Sequence, residues 1–415
     1  MTDQQFESLT LPNGLRVVVQ TMTGVQSAAA TLMSPAGACR DQQGKFGTAA
    51  ILAEMLPRGA GDLSTRQLSS VMDNLGLQRS VGAGVGYMTL SAATTADRLA
   101  EAVPFLANML LKPHLSDEQF EPARELVVQS LMAIEDDPRQ KLGGLLRQCS
   151  YPAPFGNPPD GHLNDIPNIT VEEIRQHHAS YMQPSASVLG FAGNVTMAQL
   201  QPVIEEFFND WQNNDVPDLH LGGTAASPLH IEHDSAQTNI GLAWDSVPYP
   251  DDRYYEAWAT VSLLSGGMSS RLFTEVREKR GLCYAINASI NTQKEQARVF
   301  GYAGTTNERA QETLDVMVAE IGRLAEDISE EELDRCKARA KSGLIMQQES
   351  TMSRSGSLAR DMLFMDRIVE LNEVRSKIDA LTVRQVTDFA LEYAPKSMAL
   401  VTIGPEALNS DCLPK

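Results

Sequence analysis

The sequence predicts an α+β fold built as a tandem duplication, each copy an antiparallel β-sheet covered on one face by helices. Three observations carry this expectation. The chain has 415 residues, more than one hydrophobic core usually sustains. It repeats itself internally at offsets of 205 to 213 positions. Finally, runs of strand pattern are followed by runs of helix pattern, without the strict β-α alternation of a parallel sheet.

The repeat is visible in three places, always in the same order. Ile169-Thr170-Val171-Glu172-Glu173, then Tyr181, Pro184 and the apolar run Ser187 to Gly193, returns as Leu381-Thr382-Val383-Arg384-Gln385, then Tyr393, Pro395 and Ala399 to Gly404. Leu115-Ser116-Asp117-Glu118-Gln119-Phe120 matches Ile328-Ser329-Glu330-Glu331-Glu332-Leu333. In each, a Ser followed three residues later by Gln or Glu is a capping box that starts a long helix. Ser64-Thr65-Arg66 with Gly76-Leu77 pairs with Ser269-Ser270-Arg271 and Gly281-Leu282.

In chain order, the first copy has strand pattern at Arg16 to Gln20, Ala28 to Met33, Gln78 to Leu90 with a break, and Val188 to Phe191. Ser80 to Leu90 partly alternates, as a half-buried strand does. Thr170 with Glu173 caps a helix ending near Met182, and Thr196 caps the next, ending near Trp211. The Asn-, Asp-, Pro- and Gly-rich stretch Asn213 to Ser227 reads as a linker. Domains are therefore expected at 1–213 and 229–415, joined through 214–228.

Composition narrows the function. With 42% hydrophobic and 21% charged residues the chain can build packed cores, and its net charge of -19 repels phosphate backbones and anionic lipid. Nucleic acid and membranes are poor partners; basic peptides are better ones. The five cysteines are scattered without C-x-x-C spacing, so neither a disulfide framework nor a thiolate zinc site is indicated. The opening Met-Thr-Asp-Gln-Gln-Phe-Glu lacks a secretory pattern, and a cytoplasmic location follows if this is the whole precursor.

Chemical motifs are scarce. His230 and His233 stand three apart where a strand begins and face opposite sides. His177 and His178 are adjacent on an amphipathic helix and do not share a face. Gly82-Ala83-Gly84-Val85-Gly86 lies within strand periodicity and opens no helix, so close sheet packing explains it better than a phosphate loop.

At Gly47-Thr48-Ala49-Ala50-Ile51-Leu52-Ala53-Glu54-Met55-Leu56-Pro57-Arg58-Gly59 the chain resembles the pitrilysin/insulinase metallopeptidases, and among them the short two-domain chains similar to mitochondrial processing peptidase subunits. Leu11-Pro12-Asn13-Gly14-Leu15-Arg16-Val17 looks like that family's opening strand. Glu135-Asp136-Asp137-Pro138, Ser270-Arg271-Leu272-Phe273 and Arg277 to Tyr284 extend the likeness over essentially the whole chain.

The resemblance implies an H-x-x-E-H zinc helix, in which two histidines one turn apart bind Zn²⁺ and the glutamate activates the bound water. Those positions read Ala50, Ala53 and Glu54 here. The family's third ligand, a glutamate on the long helix, falls on Ser130, and its supporting glutamate on Ala123. One remaining carboxylate, Glu54, binds a divalent metal weakly. No cofactor is expected in this chain, and the chain alone should not cleave peptides.

In the two-chain bacterial members that the sequence resembles, one subunit carries zinc and the other presents an Arg and a Tyr seven residues apart. Arg277 and Tyr284 match that spacing; the first copy has Met72 and Arg79 instead. By resemblance, Arg277 would bond substrate carbonyls, and Tyr284 would bind substrate or steady an oxyanion. The implied partners are a zinc-bearing homologous subunit and an extended peptide. The alternative is a catalytically silent assembly protein like the core subunits of respiratory complexes.

Overall fold

The computed structural model describes residues 5–414. Strand β1 (Gln5–Thr10) turns into β2 (Arg16–Thr21), followed by β3 (Ser27–Ser34), β4 (Gln78–Ala83), β5 (Met88–Thr95) and β6 (Val188–Gly193). In the second half come β7 (Leu229–Glu232), β8 (Gln237–Ser246), β9 (Cys283–Thr292), β10 (Ala297–Thr306) and β11 (Ala399–Gly404). The strands expected in the first copy are present. The opening strand, however, is Gln5–Thr10, and Pro12-Asn13-Gly14 forms the turn after it, with Gly14 at φ +90°, a conformation glycine adopts without Cβ strain.

Two sheets form, with orders β1-β2-β6-β3-β5-β4 and β7-β11-β8-β10-β9. Without β1, the orders match strand for strand, which is the duplication expressed in topology. Both are mostly antiparallel, with one parallel pair each, β2 with β6 and β7 with β11. The physical reason is the same in both: the last strand of a copy returns after a long helical stretch, and only such a crossover permits parallel pairing with the first strand.

Of the capping boxes read from the sequence, those at Thr170, Thr196 and Ser329 form; the one at Ser116 does not, because Gln119 Oε1 accepts from Arg58 instead of reaching back to the helix start. Glu173 and Thr170 bond reciprocally at the start of helix Val171–Tyr181, and Ser329 and Glu332 do so before helix Glu330–Gln348. Thr196 caps Met197–Phe208 in the same way.

The chain separates into two compact units. One holds the described residues through Ala133, Asn157–Leu221 and Ile345–Glu370; the other holds Ile134–Gly156, Gly222–Leu344 and the described residues from Leu371. Each unit thus takes in a helix from the other half of the sequence.

In the second unit, Ile240, Leu242 and Trp244 of β8 face one core with Leu263, Leu264 and Leu314 from the copy's own helices. The alternate residue Ala243, with Val401 and Ile403, faces Leu142, Leu146 and Cys149 of helix Pro138–Ser150. In the first unit, helix Thr351–Met365 packs on β6 and β3. There Ser355 Oγ lies 2.8 Å from Thr31 Oγ1, and Arg354 donates to Gln20 Oε1 at 2.8 Å. A helix therefore covers the second face of each sheet as well as the first. No helix among the described residues is long and apolar enough to cross a membrane.

Candidate functional site

Ala50, Ala53 and Glu54 lie on helix Thr48–Met55, at the i, i+3 and i+4 spacing that places them on one face. Ala53 is buried, and Ala50 and Glu54 are half-buried. Ala123 and Ser130 lie on helix Asp117–Glu135 of the same unit; Ala123 is buried and Ser130 is exposed. Alanine methyls offer no lone pair, and a single carboxylate leaves a tetrahedral ion three ligands short. Among the described residues, no cluster of three or more His, Cys, Asp or Glu side chains is poised for a metal. The zinc of the family does not fit this helix.

What holds the helix in place is a buried pair. Asp41 accepts hydrogen bonds from the N–H groups of Gly47 (2.8 Å) and Ala49 (3.0 Å), satisfying donors that a helix start leaves open. His177 Nδ1 is 3.8 Å from Asp41 Oδ1, while its Nε2 bonds the Ala36 carbonyl at 3.2 Å. Burial pushes the Asp41 carboxyl up to about 7, against the lowering effect of those N–H groups, and burial pushes the His177 imidazole down to about 4.

The signs oppose. Asp41 binds its proton more tightly when folded, so its contribution to stability is complete below about 4 and is lost as pH rises to about 7. His177 binds its proton less tightly when folded, so its contribution is complete above about 6.5 and is lost as pH falls to about 4. The two nearly cancel between pH 4.5 and 6.5. His177→Gln removes one side of the balance. The variant's unfolding free energy should fall by roughly 1 kcal/mol per pH unit across that window while the parent's stays nearly flat, as read from urea midpoints.

The second copy is built differently at the matching place. Arg277 sits on a π-helical segment, Phe273–Glu278, where the first copy has the regular helix Thr65–Asn74. Such wider turns recur at functional positions. Glu275 takes up the neighbouring charges, Lys279 at 2.6 Å and Arg280 at 3.0 Å. Arg277 is exposed, lies over the Phe273 ring at 4.9 Å, and makes no ion pair among the described residues.

The turn from Arg277 to Tyr284 is fixed by its backbone. Gly281 N donates to Arg277 O, Leu282 N donates to Val276 O, and Gly281 stands at φ +61°. The Leu282 carbonyl accepts from the buried hydroxyls of Thr305 and Thr313, and the Gly281 carbonyl accepts from Arg309.

Tyr284 then falls in a β-bulge. Cys283 pairs with Thr305 and Ala285 with Gly304, leaving Tyr284 as the extra residue. Bulges re-aim side chains, and this one is 61% exposed. Tyr284 is the second residue of β9, an edge strand that pairs with β10 alone. The Arg277 charge is felt here, opposing the burial that pushes the Cys283 thiol up to about 11. The first copy has no such site: Met72 is fully buried, Arg79 is bound to Asp73 (3.2 Å) and Ser69 (3.0 Å), and β4 pairs with β5 without a bulge.

Two family models match the sequence: insulinase (peptidase family M16) over residues 16–155, and the peptidase M16 inactive domain over residues 168–340. The chain belongs to the insulinase family of peptidases, family M16. It is 23% identical over 412 residues to an uncharacterized zinc protease of Rickettsia felis, covering 98% of this chain and 99% of that one. An uncharacterized zinc protease of Mycobacterium tuberculosis is 25% identical over 407 residues, covering 95% and 92%.

Solved structures share the M16 fold. A protease from Helicobacter pylori superposes with a TM-score of 0.88 at 20% identity, over 96% of this chain and 99% of that one. A peptidase M16 inactive domain from Pseudomonas fluorescens gives 0.88 at 20%, over 98% and 100%. A chain of Complex III2 from Candida albicans gives 0.84 at 18%, over 96% of each.

The remaining motifs of this M16 chain are structural. His178 Nε2 bonds the Leu110 carbonyl at 2.6 Å, and His230 Nδ1 lies 2.9 Å from Thr402 Oγ1. The Gly82 to Gly86 run ends β4 and makes the turn into β5, against which Gly37 packs so closely that a Cβ there would meet Tyr87 N at 2.4 Å. Asp41, the bulge at Tyr284 and the π turn carry no sequence signal that reading by residue type could use.

Proposed function

We propose that this chain is the non-catalytic subunit of a heterodimeric zinc endopeptidase of the cytoplasm, and that Arg277 and Tyr284 meet extended peptide at a zinc site supplied by a homologous partner. The observation that carries this reading is the asymmetry between the copies. Where the first copy buries Met72 and ties down Arg79, the second sets on a π turn an exposed Arg with no ion pair among the described residues, and on a bulge an exposed Tyr.

Chemically, Arg277 would donate to peptide carbonyls, and the Tyr284 hydroxyl would donate to the oxygen that gains charge as the scissile carbonyl is attacked. The open edge of β9 offers a template on which a peptide could add as a further strand, which suits tolerance of sequence. Metal chemistry would come wholly from the partner.

The test is composition. Purified alone, the chain should contain less than about a tenth of an equivalent of zinc, because one carboxylate holds a divalent ion weakly. Mixed with the zinc-bearing homologue encoded beside it or co-purifying with it, it should elute as a 1:1 complex with one zinc per pair, measured by light scattering and elemental analysis. Stoichiometric zinc in this chain alone would sink the reading.

A silent assembly protein remains the second reading, favoured by the fold shared with a chain of Complex III2. It gives no reason for the exposed Arg277 and Tyr284.

A further inference from the structure

Within the second unit, a cleft of about 820 Å³ opens between helix Tyr254–Ser265, the loop Gly266 to Ser270 and helix Glu330–Gln348. Its size is that of a site for a small ligand or a few peptide residues. Trp258 and Met268 give it apolar surface, and Met268 is 71% exposed.

Two cations line it, Arg335 and Arg339, one helical turn apart on one face. Arg335 is held by Glu331 at 2.6 Å. Arg339 has no hydrogen bond or ion pair among the described residues. The lining carboxylate, Glu332, is taken by Arg271 at 3.2 Å and by Ser329.

The loop is shaped around this arginine. A Cβ on Gly267 would sit 2.3 Å from Arg339 Nη1, so glycine leaves the guanidinium room against the loop, and any other residue would make the end of that side chain shift. Ser270 Oγ donates to the Gly267 carbonyl at 2.6 Å and braces the loop.

We infer that this cleft binds a carboxylate carried on an extended, partly apolar peptide, with Arg339 as the anion's partner and Trp258 and Met268 against the adjoining apolar side chain. In a chain of net charge -19, an unpaired arginine beside open apolar surface is a local reversal of sign and selects an anionic group. A neutral or basic peptide would leave it unpaired. The inference rests on the reading that the chain binds extended peptides. It assigns that binding a second contact, on residues other than Arg277 and Tyr284.

The carboxylate has two sources, an acidic side chain or the peptide C-terminus, and one experiment separates them. Labelled unstructured ten-residue peptides, identical except for Glu, Gln or Lys before a central Leu and all amidated, are titrated with the full chain alone. A fourth peptide carries Gln and a free C-terminus. Fluorescence anisotropy should show at least tenfold tighter binding of the Glu peptide or the free acid than of the amidated Gln peptide, and whichever gains names the source. Arg339→Gln should abolish the gain, and Gly267→Ala should reduce it by shifting the Arg339 guanidinium, with thermal unfolding of both variants compared with the parent.

Equal binding of all four peptides, tightest binding of the Lys peptide, or a tenfold gain that persists in Arg339→Gln overturns the inference. Because no partner is present, failure of a mixed pair to cleave would count against the subunit reading and leave this result standing.

Discussion

Arg277→Ala in the assembled pair should lower kcat/KM for an unstructured peptide by about 10- to 10²-fold, chiefly by raising KM, the range for losing one charged donor to substrate carbonyls. Tyr284→Phe, which removes a single oxygen from a side chain already 61% exposed, should lower kcat by about 10²- to 10³-fold, the range for losing one aligned donor to a developing oxyanion, with little loss of stability. If the two groups only grip substrate, KM rises and kcat holds; if they act as the carbonyl gains charge, kcat falls. The control is the counterpart in the first copy. Arg79→Ala breaks a surface pair with Asp73 worth at most about 1 kcal/mol and should leave the rate within about twofold. Equal loss from Arg79→Ala and Arg277→Ala would remove the asymmetry on which the functional reading rests.

The second large effect is on stability. Gly190→Ala should cost about 3 kcal/mol, the upper range for overpacking. A Cβ at Gly190 would lie 2.5 Å from the Ser355 carbonyl oxygen and 3.1 Å from Ala359 N, backbone atoms of helix Thr351–Met365 that cannot turn away. Gly241→Ala in the other unit meets the Cδ2 atoms of Leu142 (2.4 Å) and Leu146 (3.3 Å), the ends of side chains that can rotate. It should cost about 1 kcal/mol. Chemical denaturation of both variants checks the order, and a Gly241→Ala loss equal to that of Gly190→Ala would show that the backbone approach is not what limits the first site.

The duplication was readable because caps and turns carry strong local signatures. The Thr170 and Thr382 boxes, the Ser329 box and the paired glycines Gly76 and Gly281 all do what their residue types require. The exchange of helices was not readable. An amphipathic helix such as Pro138–Ser150 declares that it covers something apolar, not which sheet. A hint lay in Val188 to Gly193 and Ile240 to Trp244, continuous apolar runs of the kind that strands show when both faces are covered.

At the site, spacing and resemblance supplied Arg277 and Tyr284 as candidates, and the lost zinc ligands were plain at Ala50, Glu54 and Ser130, with the lost general base at Ala53. What sets the candidates apart from Met72 and Arg79 is backbone geometry. The bulge depends on how β9 pairs with β10, and the π turn on hydrogen bonds between Thr274, Val276 and their followers. Neither is a property of residue types in order. Asp41 and His177 were hidden for a related reason: their coupling joins positions far apart in the chain.

The most direct test of the central claim is cleavage of one unstructured peptide by this chain, by its zinc-bearing homologue and by an equimolar mixture. Cleavage by the mixture, at least about a hundredfold above either chain alone, is the expected result. Cleavage by this chain alone would contradict it.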